Sequence, residues 1–263
     1  MKAVINGITM AYDDEGSGQT LLLVHGFPLC RRMWHPQRRT LSEAGYRVIT
    51  PDLRGFGESD APDGPYSIEL FADDLVELLD HLGIEQAIIG GMSMGGYVLF
   101  NLLERYRLRV RGACFITTRA NADDEAGKER RLKLSREVMQ FGPQVAADSF
   151  EKLLFAEESL VERPKLVGEV YGWMMANDSR GIAGGLLAMR ERKDSTPLLG
   201  GISVPSLAIG AEGDKAAPPE NSRLIAEGIP GCRLVLIPHA GHMANLENPG
   251  AFNAALLEFM RGL

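Results

Sequence analysis

The chain has 263 residues, with 35 acidic and 28 basic side chains and a formal net charge of −7. That acidic balance lacks the basic footprint of a nucleic-acid binder. Apolar residues supply 45% of the chain, ample for a large core, yet no apolar run approaches the ~18 residues of a membrane span and no basic-then-apolar leader opens the sequence.

Residues 2–14 predict a β-hairpin turning at Asn6-Gly7, a pair that tolerates the positive φ of a tight turn. Leu21-Leu22-Leu23-Val24 follows as a short, wholly apolar run, the pattern of a buried parallel strand, and ends in His25-Gly26-Phe27-Pro28. A helix is expected near 32–44 and a strand at Arg47–Thr50. Residues 67–82 space their apolar side chains as a helix does, with Ser67 as its cap. A strand at 86–92, a helix at 94–106 and a strand at Arg111–Thr118 come next. From 120 to 199 no good strand candidate occurs. The segment is amphipathic and helical, punctuated by Pro143, Pro164 and Pro197, and the charge-rich stretch Asp123–Arg136 reads as a solvated helix face. Alternation resumes with strands at Val204–Gly210 and Arg233–Pro238 and helices at 218–228 and 249–262. Such alternation predicts an α/β fold with a mostly parallel central sheet and helices on both faces.

The residues with chemistry lie where these elements meet. Gly91-Met92-Ser93-Met94-Gly95 breaks an apolar strand and opens a helix. A serine on so sharp a turn is held in a strained conformation with its hydroxyl exposed, and its neighbours must be small because backbones crowd together. Its place at a helix N-terminus favours developing negative charge. Acyl transfer also needs N–H donors aimed at the oxyanion, and the residue after the nucleophile, Met94, and the loop residue Phe27 are the plausible pair. His25 is expected to brace that loop. Beyond the last two strands stand an acid, Glu212 or Asp214, and a histidine, His239 or His242, at the carboxyl ends where open α/β sheets build sites.

These segments, HGFP at 25–28, DLRGFGESD at 52–60, GMSMGG at 91–96, GAEGD at 210–214 and HAGHMANLENP at 239–249, resemble the α/β-hydrolase fold superfamily in order and spacing over nearly the whole chain. Within it the chain resembles the cofactor-free carboxylesterase, 3-oxoadipate enol-lactonase and haloperoxidase-like branch. The resemblance implies a core of residues 1–119 and 200–263 with a helical cap, 120–199, inserted in it. It implies a serine esterase or lactonase with Ser93 as nucleophile, His242 as general base and acid, Asp214 as orienting acid, and an oxyanion hole from Phe27 and Met94. The expected substrate is a small ester or lactone, with no cofactor and no metal, no nucleic-acid or membrane partner, and either a monomer or a homo-oligomer. Arg119, Trp173 and Met243 are candidate substrate contacts; Arg119 would pair with a substrate carboxylate or with the 52–60 loop. Three unclustered cysteines, Cys30, Cys114 and Cys232, suggest a reducing cytoplasm. Alternatives on the same fold are a perhydrolase or haloperoxidase activity, C–C bond hydrolysis, against which Met243 after the histidine counts, and a small-molecule receptor.

Overall fold

Asn6 and Gly7 take positive φ, 43° and 77°, and close a hairpin between β1 (Lys2–Ile5) and β2 (Ile8–Glu15). Six further strands follow: β3 (Thr20–Val24), β4 (Arg47–Pro51), β5 (Ala87–Met92), β6 (Val110–Ile116), β7 (Ser206–Ala211) and β8 (Arg233–Ile237). The computed structural model describes all 263 residues and joins these strands in one sheet, in the order β1-β2-β4-β3-β5-β6-β7-β8. The β1–β2 and β2–β4 pairs are antiparallel, and every later pair is parallel.

Period-two alternation explains why the inner strands are apolar throughout. Leu22 and Val24 of β3 pack into the layer beneath one face with Phe71, Leu75 and Phe100, whereas Leu21 and Leu23 pack into the opposite layer with Trp34, Phe252 and Leu256. The helices carrying these layers are α1 (His35–Glu43), α2 (Ile68–His81), α3 (Met94–Arg105) and α11 (Pro249–Arg261). Ser67 caps α2 as its sequence implies, with Oγ accepting the Leu70 N–H at 3.0 Å. Between β7 and β8 lies α9 (Pro219–Gly228), and a one-turn α10 (Ala244–Glu247), absent from the sequence reading, precedes α11.

Between β6 and β7 the chain leaves the sheet for five helices, α4 (Glu125–Phe141), α5 (Gln144–Leu154), α6 (Glu157–Glu162), α7 (Pro164–Met175) and α8 (Ser179–Glu191), and a 3-10 turn at Thr196–Gly201, with no strand among them. Helices α4 and α8 pack together, as do α5 and α7. The strand order places the site. After β3 the chain pairs β4 on one side, then crosses back to pair β5 on the other. Loops leaving β3 and β5 therefore diverge and open a crevice at their carboxyl ends.

Candidate active site

Strand β5 runs straight into α3, and the junction residue Ser93 has φ 53° and ψ −112°, a conformation that side-chain-bearing residues rarely adopt. The crowding expected of such a turn is present. A Cβ on Gly91 would lie 2.2 Å from Gly95 O, and one on Gly95 would lie 2.4 Å from Val24 O. A Cβ on Gly26 would press on Met92 Sδ at 2.4 Å and on Ser93 Cβ at 3.2 Å. The glycines thus hold the loop after β3 against the serine. Ser93 is half-buried. The backbone N–H groups of Phe27 and Met94 donate to no acceptor in the protein, as expected of a loop and of the first residue of a helix.

The carboxyl end of β6 anchors both sides of the site. Ser93 N–H donates to Ile116 O at 2.9 Å, Thr118 Oγ1 donates to Ser93 O at 2.7 Å, and Thr117 Oγ1 donates to His242 O at 3.2 Å. Thr117 itself has φ 38°, an unusual value for a β-branched residue, so strain sits on both sides of the crevice.

His242 is buried, and its Nδ1 lies 2.8 and 3.0 Å from the two Asp214 oxygens. Asp214 Oδ1 also accepts the N–H groups of Ala216 and Ala217, each at 2.8 Å, which fixes the carboxylate. The other acid and histidine are elsewhere. Glu212 is exposed, and His239, with a side chain 80% exposed, faces Glu158 at 3.7 Å. The His242 ring bonds only through Nδ1, and no hydrogen bond joins its Nε2 to Ser93 Oγ. Contacts of this kind tighten when substrate seats.

His25 is fully buried as a brace. The Leu53 N–H donates to its Nε2 at 3.0 Å, which puts the ring proton on Nδ1, 2.9 Å from Gly26 O. Burial pushes its pKa down against the pull of Asp52, so the ring stays neutral. The 52–60 cluster is likewise structural. Asp52 accepts Arg31 N–H at 2.7 Å and Glu58 N–H at 2.9 Å and pairs with the Arg31 side chain, while Arg54 makes a two-bond pair with buried Asp74 at 2.7 and 2.9 Å. Burial raises the Cys30 thiol to about 11, which leaves it unreactive.

The three candidate substrate contacts separate. Arg119 makes no ion pair with the 52–60 loop; its Nη2 donates to Ala216 O, and its buried Nε has no partner. It lines an open pocket of about 430 Å3 with Arg130, Arg131, Lys215, Phe150 and Leu186. Trp173 lines a different groove, with Arg31, His35, Glu169 and Leu246. Met243 is 0% exposed within the core and so offers no surface to a substrate. Its position corrects the expectation drawn from its place beside the histidine.

Cap residues that sequence reasoning did not single out reach the site. Asn177 Nδ2 donates to Pro28 O and its Oδ1 accepts Gly57 N–H, both at 2.8 Å, bridging the loops after β3 and β4. The Phe27 ring sits edge-on to Phe150 of α5, with centroids 5.2 Å apart, and to Phe56 at 6.0 Å. Buried Glu247 accepts Gly241 N–H at 2.8 Å and Ala156 N–H at 2.9 Å.

This sheet, with a strained serine after β5 and an acid–histidine pair after β7 and β8, defines the α/β-hydrolase architecture. The family model for the alpha/beta hydrolase fold matches residues 19–249, and the chain belongs to that family. Among solved structures it is similar to an esterase from Thermogutta terrifontis, solved with malate bound, at 38% identity and a TM-score of 0.96 over 100% of this chain and 98% of that one. It is similar to the enol-lactonase from Burkholderia xenovorans LB400 at 29% identity and TM-score 0.92, covering 99% and 100% of the two chains. A bromoperoxidase from Bacillus anthracis shares 28% identity and TM-score 0.89 over 99% of each chain. No helix is long and apolar enough to cross a membrane.

Proposed function

We propose that the chain is a carboxylic ester hydrolase, of esterase or lactonase type, working through an acyl-serine. The carrying observation is the buried Asp214–His242 pair, whose histidine loop is tied to Thr117 while the Ser93 turn is tied to Ile116 and Thr118 on either side of it, at the end of β6. In this reading Ser93 Oγ attacks the carbonyl carbon while His242 Nε2 takes its proton. Asp214 holds the ring through Nδ1 and stabilises its charged form. The oxyanion receives the free N–H groups of Phe27 and Met94. As the C–O bond breaks, His242 returns the proton to the leaving oxygen, which departs as an alcohol or stays tethered when the substrate is a lactone. Water then repeats the sequence and frees the acid. The esterase and lactonase similarities support this chemistry.

Arg119 supports an acidic substituent on the substrate. Its pocket holds Arg130, Arg131 and Lys215 against Asp123, and Asp123 is already bonded to Arg131 and Arg192. The pocket adjoins the site through Phe150, which touches Phe27, and Ala216, whose N–H binds Asp214. The malate-bound esterase agrees with a carboxylate ligand. We assign Trp173 to its separate groove and no substrate role to Met243. The free cysteines Cys30, Cys114 and Cys232 support a reducing cytoplasm.

Turnover of a panel of short esters and lactones by the protein and its Ser93→Ala variant tests the assignment. Loss of at least about 10³-fold in kcat is expected, with the fold retained; retention of a tenth of the activity overturns it. The bromoperoxidase similarity motivates a second reading, in which peroxide replaces water at the acyl-serine. Peracid formation above the enzyme-free rate, lost in Ser93→Ala, would support it.

A further inference from the structure

We infer that Glu247 is a positioning residue that couples the cap to the catalytic histidine, joining the chain segment 154–156 to the loop carrying His242. This inference rests on the Ser93–His242–Asp214 reading above. Glu247 is buried in α10, and neither carboxylate oxygen bonds to a cationic side chain; each accepts one backbone N–H, and the buried Ser159 hydroxyl of α6 in the cap also bonds the carboxylate. The Oε1 partner is Gly241, the residue immediately before His242. The Oε2 partner is Ala156, in the cap between α5 and α6. A second bond runs the same way, from Met243 N–H to Leu154 O at 2.9 Å. His242 is therefore flanked on both sides by residues tied, directly or through Glu247, to one short piece of the cap.

That piece also touches the acid's loop. A Cβ on Gly213 would meet Ala156 Cβ at 3.3 Å, and Gly213 N–H donates to Ala240 O at 2.9 Å. The approach at Gly241 is closer still: a Cβ there would lie 2.3 Å from Ala156 N and 2.6 Å from Phe155 C. Segment 154–156 is thus wedged where the Asp214 and His242 loops meet. On the other side the Arg163 guanidinium donates to Glu247 O, adding a further tie from the start of α7. A buried carboxylate is costly to desolvate unless its donors, here two backbone N–H groups and the Ser159 hydroxyl, are in place. Its net effect is geometric, since it sets how far the His242 loop stands from the cap. Small displacements of a general base carry large rate penalties. The wall of the pocket, Phe150 of α5, belongs to the helix that ends at Leu154, so cap position and base position are mechanically linked.

Two variants test this. Glu247→Gln keeps the size of the side chain but turns one acceptor into a donor that faces an N–H. Ala156→Pro fits the backbone, because Ala156 already has φ −61° and ψ 152° and Phe155 before it is extended at φ −117° and ψ 150°, and its ring carbon takes the place of the N–H and pushes the Glu247 carboxylate off the cap. Both are assayed at 25 °C with p-nitrophenyl acetate, alongside the rate at which a small fluorophosphonate labels Ser93, with folding checked by near-UV circular dichroism. We expect Glu247→Gln to lower kcat and the labelling rate by about ten-fold or more, with KM within about two-fold, and Ala156→Pro to lower kcat by at least about three-fold. A purely structural role would lower Tm and leave both rates of the folded protein intact. Either variant folded with kcat within about two-fold of the parent overturns the inference; should Glu247→Gln not fold, Ala156→Pro alone decides. Ser93→Ala in the same assay keeps the two readings apart. Activity surviving in Ser93→Ala removes the nucleophile assignment, whereas a dead Ser93→Ala beside a fully active Glu247→Gln removes only the role of Glu247.

Discussion

The carboxyl edge of the sheet and the outer part of the helical cap are built on different terms. At the edge, backbone meets backbone. Gly26, Gly91 and Gly95 have no room for a Cβ, and Ser93 and Thr117 hold unusual positive φ. Away from its seam with the edge, where Gly181 backs onto Gly55 and Ala156 onto Gly241, the cap is looser: Gly168 and Gly172 lie in the middle of α7 with nothing within 4 Å of where a Cβ would stand, and Met139, Phe141 and Val161 are exposed. Reacting groups must be held to fractions of an ångström, which close backbone packing does well. A cap that shapes a pocket needs only side-chain packing, which tolerates exchange. Substrate preference can therefore change in the cap while the chemistry at the edge stays put.

Substitutions that swap these terms should show the contrast. Gly95→Ala drives a methyl group to 2.4 Å from Val24 O and 2.9 Å from His25 O, both backbone atoms that cannot turn aside. We expect a loss of about 3 kcal/mol or failure to fold, read by urea denaturation; stability within about 0.5 kcal/mol of the parent would mean that the edge is more pliant than its packing indicates.

Asp123→Asn probes the one strongly electrostatic joint of the cap. Asp123 precedes α4 and bonds Arg131 of α4 and Arg192 just beyond α8. Burial alone would raise its pKa, but the bonds and charges of Arg192 and Arg131 outweigh that and hold the carboxyl well below its ordinary 3.8. A depressed carboxylate pKa stabilises the fold above the unfolded value and loses that contribution as pH falls through the folded one. The parent should thus lose stability from the Asp123 pair only below about pH 4, whereas the asparagine variant lacks it at every pH. Thermal melts at pH 7 should show the variant less stable by about 3 kcal/mol, since buried Arg192 and half-buried Arg131 lose their shared partner, and the difference should shrink in acid. A difference that persists undiminished at low pH would place its cause elsewhere.

His25 gives a signature of the same sign at the edge, but in a higher pH window. Its folded pKa lies below its ordinary 6.5, so the unfolded chain binds the extra proton first. Stability should decline as pH falls below about 6.5, and His25→Gln, whose amide reaches the Nε2 position that accepts Leu53 N–H, should flatten that decline. The smallest effect is a gain. Gly172→Ala should stabilise α7 by about 0.5–1 kcal/mol, because alanine costs less to order in a helix interior and meets no neighbour. A loss on this substitution would show that the cap is packed as tightly as the edge.

Most of the edge was legible before any coordinates. The elbow pattern, the Asn6-Gly7 turn and the Ser67 cap are local rules, and each is found where its residues stand. The motif spacing favours Asp214 over Glu212 and His242 over His239, and their burial agrees with that choice. Asp214 and His242 turn inward and pair, while Glu212 and His239 point to solvent. Arg119 was placed at a strand end by its sequence, but its carbonyl partner on Ala216 came only with the fold. Met243 shows the limit of adjacency, since the residue next to His242 is swallowed by the core.

By itself, then, the amino-acid sequence determined the order of strands and helices, the strained serine turn and the helical excursion between β6 and β7. Those features depend on periodicity, glycine spacing and caps acting over a few residues. Only the tertiary structure decided that Asn177 bridges Pro28 and Gly57, that Phe150 abuts Phe27, and that Glu247 ties Gly241 to Ala156. Three of these contacts span 91 to 149 positions of the chain. An asparagine, a phenylalanine or a glutamate has no local pattern that names so distant a partner; the partner is chosen by which surfaces the packed sheet and cap bring together.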